Sequence, residues 1–516
     1  MSRPLRSLLI AIALLCLMQP RLVRSAQSLE RGTAILNPAA LRELDRGPFG
    51  LARMLGAASN GSLTDSALFA LPSMAQIRTS LDAEFERYIA QHQVDLPNQT
   101  IGVGDQFDFQ LFDREQLYSD ATRFVLSGIV NRMDRAYVAP DSCGEIRLIY
   151  RLAQIDAPPI GDHGASARLP MTLNLVLKAK ADRAVDQKGT ALTCASIARR
   201  WLDTARGSMP SGELAAKLQS SDGALALIGP SNVVRIETNI QIAHVSQSPT
   251  REFRTDYLLK VFDYNPQAKV FEEATLEDQI DRERLLKDDK LRADFKAWLL
   301  NPKHLVEFDR GTSLFPKQFL ATRAIATTPI GFSSSVLQPA FGMVEGDNPV
   351  FSTDDVVTAL QKASKRGNNL QNIRSVAGFD RRLNDITCAG CHQTRGIGGF
   401  HFPGVDWMAA NPSNTTIVPA SPHFFGDGVR RRDILAQIRD SKFVDYSRGF
   451  SERPQLRGSR ELAGTEYDDG WGAHCYQVQP RAKNDPSFTS WGCAKGLSCQ
   501  VMSEGSRMGM CFVDKR

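Results

Sequence analysis

This chain lacks the usual marks of nucleotide and hydrolase chemistry. It has no G-x-S-x-G elbow, no P-loop and no G-x-G-x-x-G after a strand pattern. Neither a serine nucleophile on a strand-to-helix turn nor a backbone phosphate cradle is therefore encoded. Histidine is scarce at eight residues, and His244 and His304 have no ligand-type partners at metal-binding spacing, which argues against a metal centre at either. Past the N-terminal region no segment approaches ~18 uninterrupted apolar residues, the length a membrane-spanning helix needs. Internal repeats and low-complexity tracts are absent as well, which removes solenoid and fibrous architectures.

A true excess of charge is also missing. Arg3 and Arg6 precede an eleven-residue apolar run from Leu8 to Met18, the form of a secretory signal peptide and too short to cross a bilayer. Val23-Arg24-Ser25 places acceptable residues before a cut, so cleavage is expected after Ser25. Residues 1–25 hold four arginines and no acid, so removing them takes the formal charge from +5 to +1. A nearly neutral mature chain gives no case for a nucleic-acid partner. The expected location is the periplasm or outside the cell.

Of the nine cysteines, Cys16 lies in the signal; setting Cys388 and Cys391 aside leaves six, an even number suited to an oxidising compartment. Cys475, Cys493, Cys499 and Cys511 crowd the last 42 residues, and Cys143 and Cys194 lie far upstream. The simplest account pairs Cys143 with Cys194 and forms two bridges in the tail, where three connectivities remain open.

Hydrophobic periodicity divides the remainder. Leu81, Phe85 and Tyr88 predict a helix over 80–92. Between about 120 and 265 the period becomes two: Ile146, Leu148 and Tyr150; Met171, Leu173, Leu175 and Leu177; Val234, Ile236, Ile240 and Ile242. Such alternation predicts antiparallel strands with one apolar and one solvated face. Ile197 and Trp201 suggest a helix over 195–204. Past Asn265-Pro266 the pattern turns helical, with a capping-box form at Thr275–Asp278. An apolar stripe follows at Leu291, Phe295, Trp298 and Leu299, then a loop-rich stretch over 311–350 and a helix over 354–365. The expected fold is α+β, with an antiparallel β-rich central region, a mainly helical haem-motif region and a small disulfide-rich C-terminal module. Expected units are a signal peptide (1–25), a mixed helical region (26–115), a β-rich domain (116–270), a helical region (271–385), the motif region (386–460) and a cysteine-rich tail (461–516).

One motif carries chemistry. Cys388-Ala389-Gly390-Cys391-His392 is a C-x-x-C-H run, the spacing of covalent c-type haem attachment. Cys388 and Cys391 are placed for the two vinyl groups, and His392 for the iron as proximal ligand. A disulfide between the two cysteines, or a zinc site completed by His401, is the competing reading. Candidates for a sixth iron ligand are His401 and Met408, with His423 further on; the glycines from Gly396 to Gly404 would let backbone approach a haem face. Residues 430–460 hold nine basic side chains against four acids, which read as a solvated face or as a surface for haem propionates or an acidic redox partner protein. Polar positions at Arg235, Glu237 and Asn239, with Asn131, Arg132, Asp134 and Arg147 elsewhere, could line a binding surface, but solvated outer strand faces are the commoner reading.

The 388–392 segment resembles the attachment site of c-type cytochromes and is similar to cytochrome-like modules in large secreted bacterial proteins. The resemblance is firm for five residues and loose to Gly404. It implies one haem c per chain, bound through Cys388, Cys391 and His392. Small c-type cytochromes place a methionine ligand several tens of residues after the motif, whereas Met408 follows His392 by 16 residues and Met502 by 110. Residues 123–151, with Asn131-Arg132-Met133-Asp134 and Cys143-Gly144-Glu145-Ile146-Arg147, are similar to secreted bacterial proteins of an uncharacterised family that carry a later C-x-x-C-H. The expectation is an exported monohaem protein for electron transfer or haem-based redox chemistry. The alternative is a haem-free secreted binding or cell-surface protein stabilised by disulfides.

Overall fold

The computed structural model describes residues 32–57, 63–155, 168–181, 185, 189, 191–204, 211–245, 255–328, 348–388, 422–448, 474–486, 488–489, 491–493, 497–501 and 507–513. Strand β1 (Ala34–Ile35) leads into helices α1 (Pro38–Arg46), α2 (Leu51–Met54), α3 (Asp65–Phe69) and α4 (Ala75–Asp95). Short strands β2 (Ile101–Gly102) and β3 (Phe109–Leu111) precede the long strands β4 (Thr122–Arg132), β5 (Glu145–Gln154) and β6 (Arg168–Lys178). Helices α5 (Cys194–Asp203) and α6 (Ser211–Gln219) separate these from β7 (Val233–Val245), β8 (Thr255–Asn265) and β9 (Val270–Ala274).

The long strands pair as β4-β5-β6-β7-β8, all antiparallel. The β-rich central region read from alternation is therefore present. Apolar side chains of β4 to β8 pack with Leu41, Leu44, Leu81, Phe85 and Tyr88 of the first helices in one core. The helix expected over 80–92 is the middle of α4, and that over 195–204 is α5. Thr193 caps α5: its Oγ1 accepts from Ser196 N, and Ser196 Oγ accepts from Thr193 N. The expected Cys143–Cys194 disulfide is formed and ties this helix start to the turn between β4 and β5.

Next come α7 (Arg282–Lys287), α8 (Asp289–Leu299), α9 (Pro302–Arg310), β10 (Arg323–Thr328), α10 (Thr353–Lys365) and α11 (Val376–Ile386). Two local expectations fail here. No helix starts at Thr275: Leu276 is buried, its N–H donates to Ala321 O, and Asp281 caps the helix that follows. The stretch read as loop contains β10, which pairs with β8 from Arg323↔Lys260 to Thr328↔Thr255. Its Ala324-Ile325-Ala326 core is apolar on both faces, so it shows no alternation to read. The helices enclose a second core rich in phenylalanine, in which ring contacts run from Phe295 to Phe351, Phe379 and Phe308 in turn.

Helix α12 (Pro422–Arg439) returns to the first core through Ile434, Leu435 and Ile438. The tail forms β11 (His474–Tyr476), β12 (Leu497–Val501) and β13 (Met508–Val513) in the order β11-β13-β12. Cys475 is bridged to Cys499, and Cys493 is also disulfide-bonded. This module sits on the start of α11: Tyr476, Phe488 and Trp491 pack with Ala377, Ser375 Oγ donates to Asp485 at 2.9 Å, and the Arg381 guanidinium lies 5.1 Å from the Trp491 ring centre. Among the described residues no helix is long and apolar enough to cross a membrane.

Candidate functional site

Helix α11 ends two residues before Cys388, the first residue of the C-x-x-C-H run. Ser375 caps the helix by accepting from Gly378 N at 2.9 Å, and Thr387 closes its far end by donating to Asn384 O at 2.9 Å. The last nine residues of the helix, Gly378 to Ile386, are buried, so Cys388 leaves a fixed support. Cys388 is half-buried and packs against Leu259, Val261, Leu276, Ala324 and Ala326. Cys391, His392, His401 and Met408 lie outside the described residues; His423 falls in α12, its side chain likewise outside them.

Close to that support lies a network of buried ions, assembled from segments that the sequence presents far apart. The tight turn after β4 brings Asn131 to Arg135 beside Cys143 to Arg147. Gly144 makes this possible: its φ is +88°, and a Cβ there would lie 2.8 Å from both Arg132 O and Met133 Cα. Arg132 Nε donates to Asp134 at 2.9 Å, and Arg135 Nε to Glu145 at 3.1 Å. Arg147 donates to Glu145 at 2.9 Å and to Glu237 on β7 at 2.8 Å. Arg135 also pairs with Glu277, the residue freed by the missing helix start.

For Asn131, Arg132, Asp134, Arg147 and Glu237 the solvated-face reading is overturned, whereas Arg235 and Asn239 are half-exposed. Arg132, Asp134, Arg147, Glu145 and Glu237 are all buried, because the chain after β9 and the α12 region cover that side of the sheet. Alternation reports that a face is polar; it cannot report that a second layer will lie on it.

The basic stretch supplies the cover. Arg430 on α12 donates to Asp134 Oδ2 at 2.8 Å, and Arg448 to the same oxygen at 2.6 Å. Arg431 is buried nearby, so for these three the solvated-face expectation also fails. Arg439 instead pairs with its neighbour Asp440, and Lys442 is largely exposed. Burial pushes the Asp134 carboxyl up, but Arg132, Arg431, Arg448 and Arg430 outweigh it and hold it well below the usual range. Burial lowers Arg132 to about 9 against the pull of Asp134. Arg448 is held by its backbone too: its N–H donates to Arg310 O at 2.7 Å, and Arg382 Nη2 donates to both Asp309 O and Arg448 O.

Between the network and α11 is a small, largely enclosed chamber of about 40 Å³. Arg132, Arg135, Tyr137, Asp278, Ser313 and Arg448 give it polar walls. Its apolar lining includes Ile386, two residues before Cys388. Burial, with Glu277 beside it, pushes the Asp278 carboxyl well above its ordinary value, so it is the acid of the group favoured in neutral form. The arrangement is rich in donors and suited to an anion.

The histidines singled out earlier are elsewhere: His304 stacks on Trp298 at 4.3 Å between ring centres, and His244 sits on β7. Among the described residues no cluster of three or more His, Cys, Asp or Glu is arranged to hold a metal ion. The chamber is not legible in the sequence: Arg132 and Arg448 belong to segments that stand out there, but Asp278, Ser313 and Ile386, which complete its walls, carry no site signal. No family model, no curated protein and no solved structure matches this chain.

Proposed function

We propose that this chain is an exported monohaem c-type cytochrome-like protein that serves electron transfer or haem-based redox chemistry, with a redox partner protein. Cys388 and Cys391 would carry the thioether bonds to one haem c, and His392 would bind the iron from the proximal side. His401 and Met408 are the candidates for the sixth position. The observation that carries the reading is the C-x-x-C-H run in the sequence, whose first residue, Cys388, follows a buried, capped helix.

Two features of the surroundings support it. Cys388 packs among Leu259, Val261, Leu276, Ala324 and Ala326, an apolar neighbourhood. Ile386, two residues back, lines the arginine-rich chamber. An apolar macrocycle with carboxylates at its edge matches that combination of surfaces. When bound, such a group supplies a one-electron redox centre whose potential is tuned by burial and nearby charge. This chain's own part would be to hold the attachment helix rigid and to set the local field.

The test is export from a host able to mature c-type cytochromes, followed by denaturing electrophoresis, haem staining and intact mass. The expected result is a stained band and a mass gain of one haem, both lost in Cys391→Ala. A chain without covalent haem, with Cys388 and Cys391 as thiols or a disulfide, would sink the proposal and leave the secreted, disulfide-stabilised binding protein in its place.

A further inference from the structure

The chamber contains polar groups that the ion network does not use. Ser313 Oγ and Asp278 Oδ1 are both buried, and neither has a hydrogen-bond partner among the described residues. A buried hydroxyl left in that state is costly, and native proteins almost always satisfy it with a protein group, a water or a ligand. Both residues line the chamber, together with the guanidinium groups of Arg132, Arg135 and Arg448.

We propose that this chamber binds one carboxylate group, held by Ser313, Arg132 and Arg448. The size fits: about 40 Å³ has room for roughly three water-sized atoms, the heavy-atom count of a carboxylate head. The chemistry fits as well. Arginine carries five donors in a planar fork, so one already paired with a protein carboxylate can also donate to a second anion. Arg132 and Arg448 already share Asp134, which places both guanidinium groups beside one carboxylate. Asp278, the acid favoured as neutral, would add a donor instead of a repelling charge. A ligand head much bulkier than a carboxylate does not suit so small a space.

The carboxylate has two sources with the same chemistry. One is a propionate of a haem tethered at Cys388, which rests on the reading above. The other is a small free carboxylate, which does not.

The experiment titrates carbon-13 formate into the folded chain prepared without haem and into the chain bearing it. The haem-free chain is expected to bind one formate, and Ser313→Ala and Arg448→Gln should each weaken binding about ten- to a hundredfold, as loss of a hydrogen bond to a charged group does. If the haem-bearing chain excludes formate, the propionate is the occupant; if it still binds formate, the site serves a free carboxylate. A haem-free chain that melts cooperatively yet binds no formate, or binds it equally well in both variants, holds only water there and overturns the proposal. Should the chain fold only with haem, Arg448→Gln is expected to lower the reduction potential, and an unchanged potential overturns the proposal. Absence of haem in every preparation would end the haem reading while leaving the formate result to decide this one.

Discussion

Arg448 donates to Asp134 Oδ2 at 2.6 Å across 314 residues of sequence. The same carboxylate receives Arg132 from its own turn and Arg430 from α12. One aspartate thus joins the β-sheet to the segment that covers it, and its loss would leave several buried guanidinium groups short of their counter-ion.

Asp134→Asn is expected to cost about 3–5 kcal/mol, the usual penalty for removing one partner of a buried ion cluster. Denaturant unfolding measures it. A loss below about 1 kcal/mol, typical of surface pairs, would mean that the cluster is solvated in solution.

Two aspartates should push pH dependence in opposite directions. Asp134 is depressed in the folded chain, so its contribution to stability is present above the ordinary aspartate range and is lost as pH falls toward its folded value. Asp65 is fully buried, and burial pushes its carboxyl up to about 8. The folded chain therefore holds this proton more tightly than the unfolded one, and Asp65 costs stability as pH rises from about 4 to 8. Asp65→Asn is expected to gain on the order of 1–2 kcal/mol at pH 8 and little at pH 4. Melting curves across that range check it, and a gain independent of pH would contradict the assignment.

Gly144→Ala should destabilise by about 1–3 kcal/mol, from a positive φ and from contact with the backbone of Arg132 and Met133. Because the strain falls on the turn that carries Asp134 and Arg135, formate affinity should drop with stability. Gly189→Ala, also at positive φ but with nothing within 4 Å of the added Cβ, is the control and should cost less.

The Cys143–Cys194 bridge closes a separation of 51 residues. Replacing both with alanine is expected to cost about 2–4 kcal/mol through the freed unfolded chain. Equal stability with and without reductant in the wild-type protein would show that the bridge does not form.

Much of the scaffold was legible in advance. Period-two runs marked the central strands, and stripes such as Leu81, Phe85 and Tyr88 marked helices, because local periodicity follows from which side of an element is buried. Cysteine parity and position supported the bridge between Cys143 and Cys194. The site was legible only as fragments. Asn131–Asp134, Cys143–Arg147 and the arginines after 430 stood out one by one, but nothing local showed that they meet.

The misreadings have one physical source. Charged residues at alternating strand positions look solvated until another layer covers them. Arg147 and Glu237 illustrate this, as does Lys260 on β8, which is fully buried between Glu84 and Glu273. Glu277 looked like part of a helix cap because capping is a local pattern, yet its carboxylate is taken by Arg135 from 142 residues away.

By itself the sequence determined the alternating strands, the helical stripes, the upstream disulfide and a five-residue motif whose spacing is a matter of covalent reach. Only the tertiary structure decided that α11 is buried from Gly378 to its end, that Cys388 meets an apolar cluster, and that arginines far apart in the chain surround one aspartate beside a small chamber. Spacing along a chain is fixed by bond geometry, but a buried charge becomes tolerable only when its partners arrive from elsewhere in the fold.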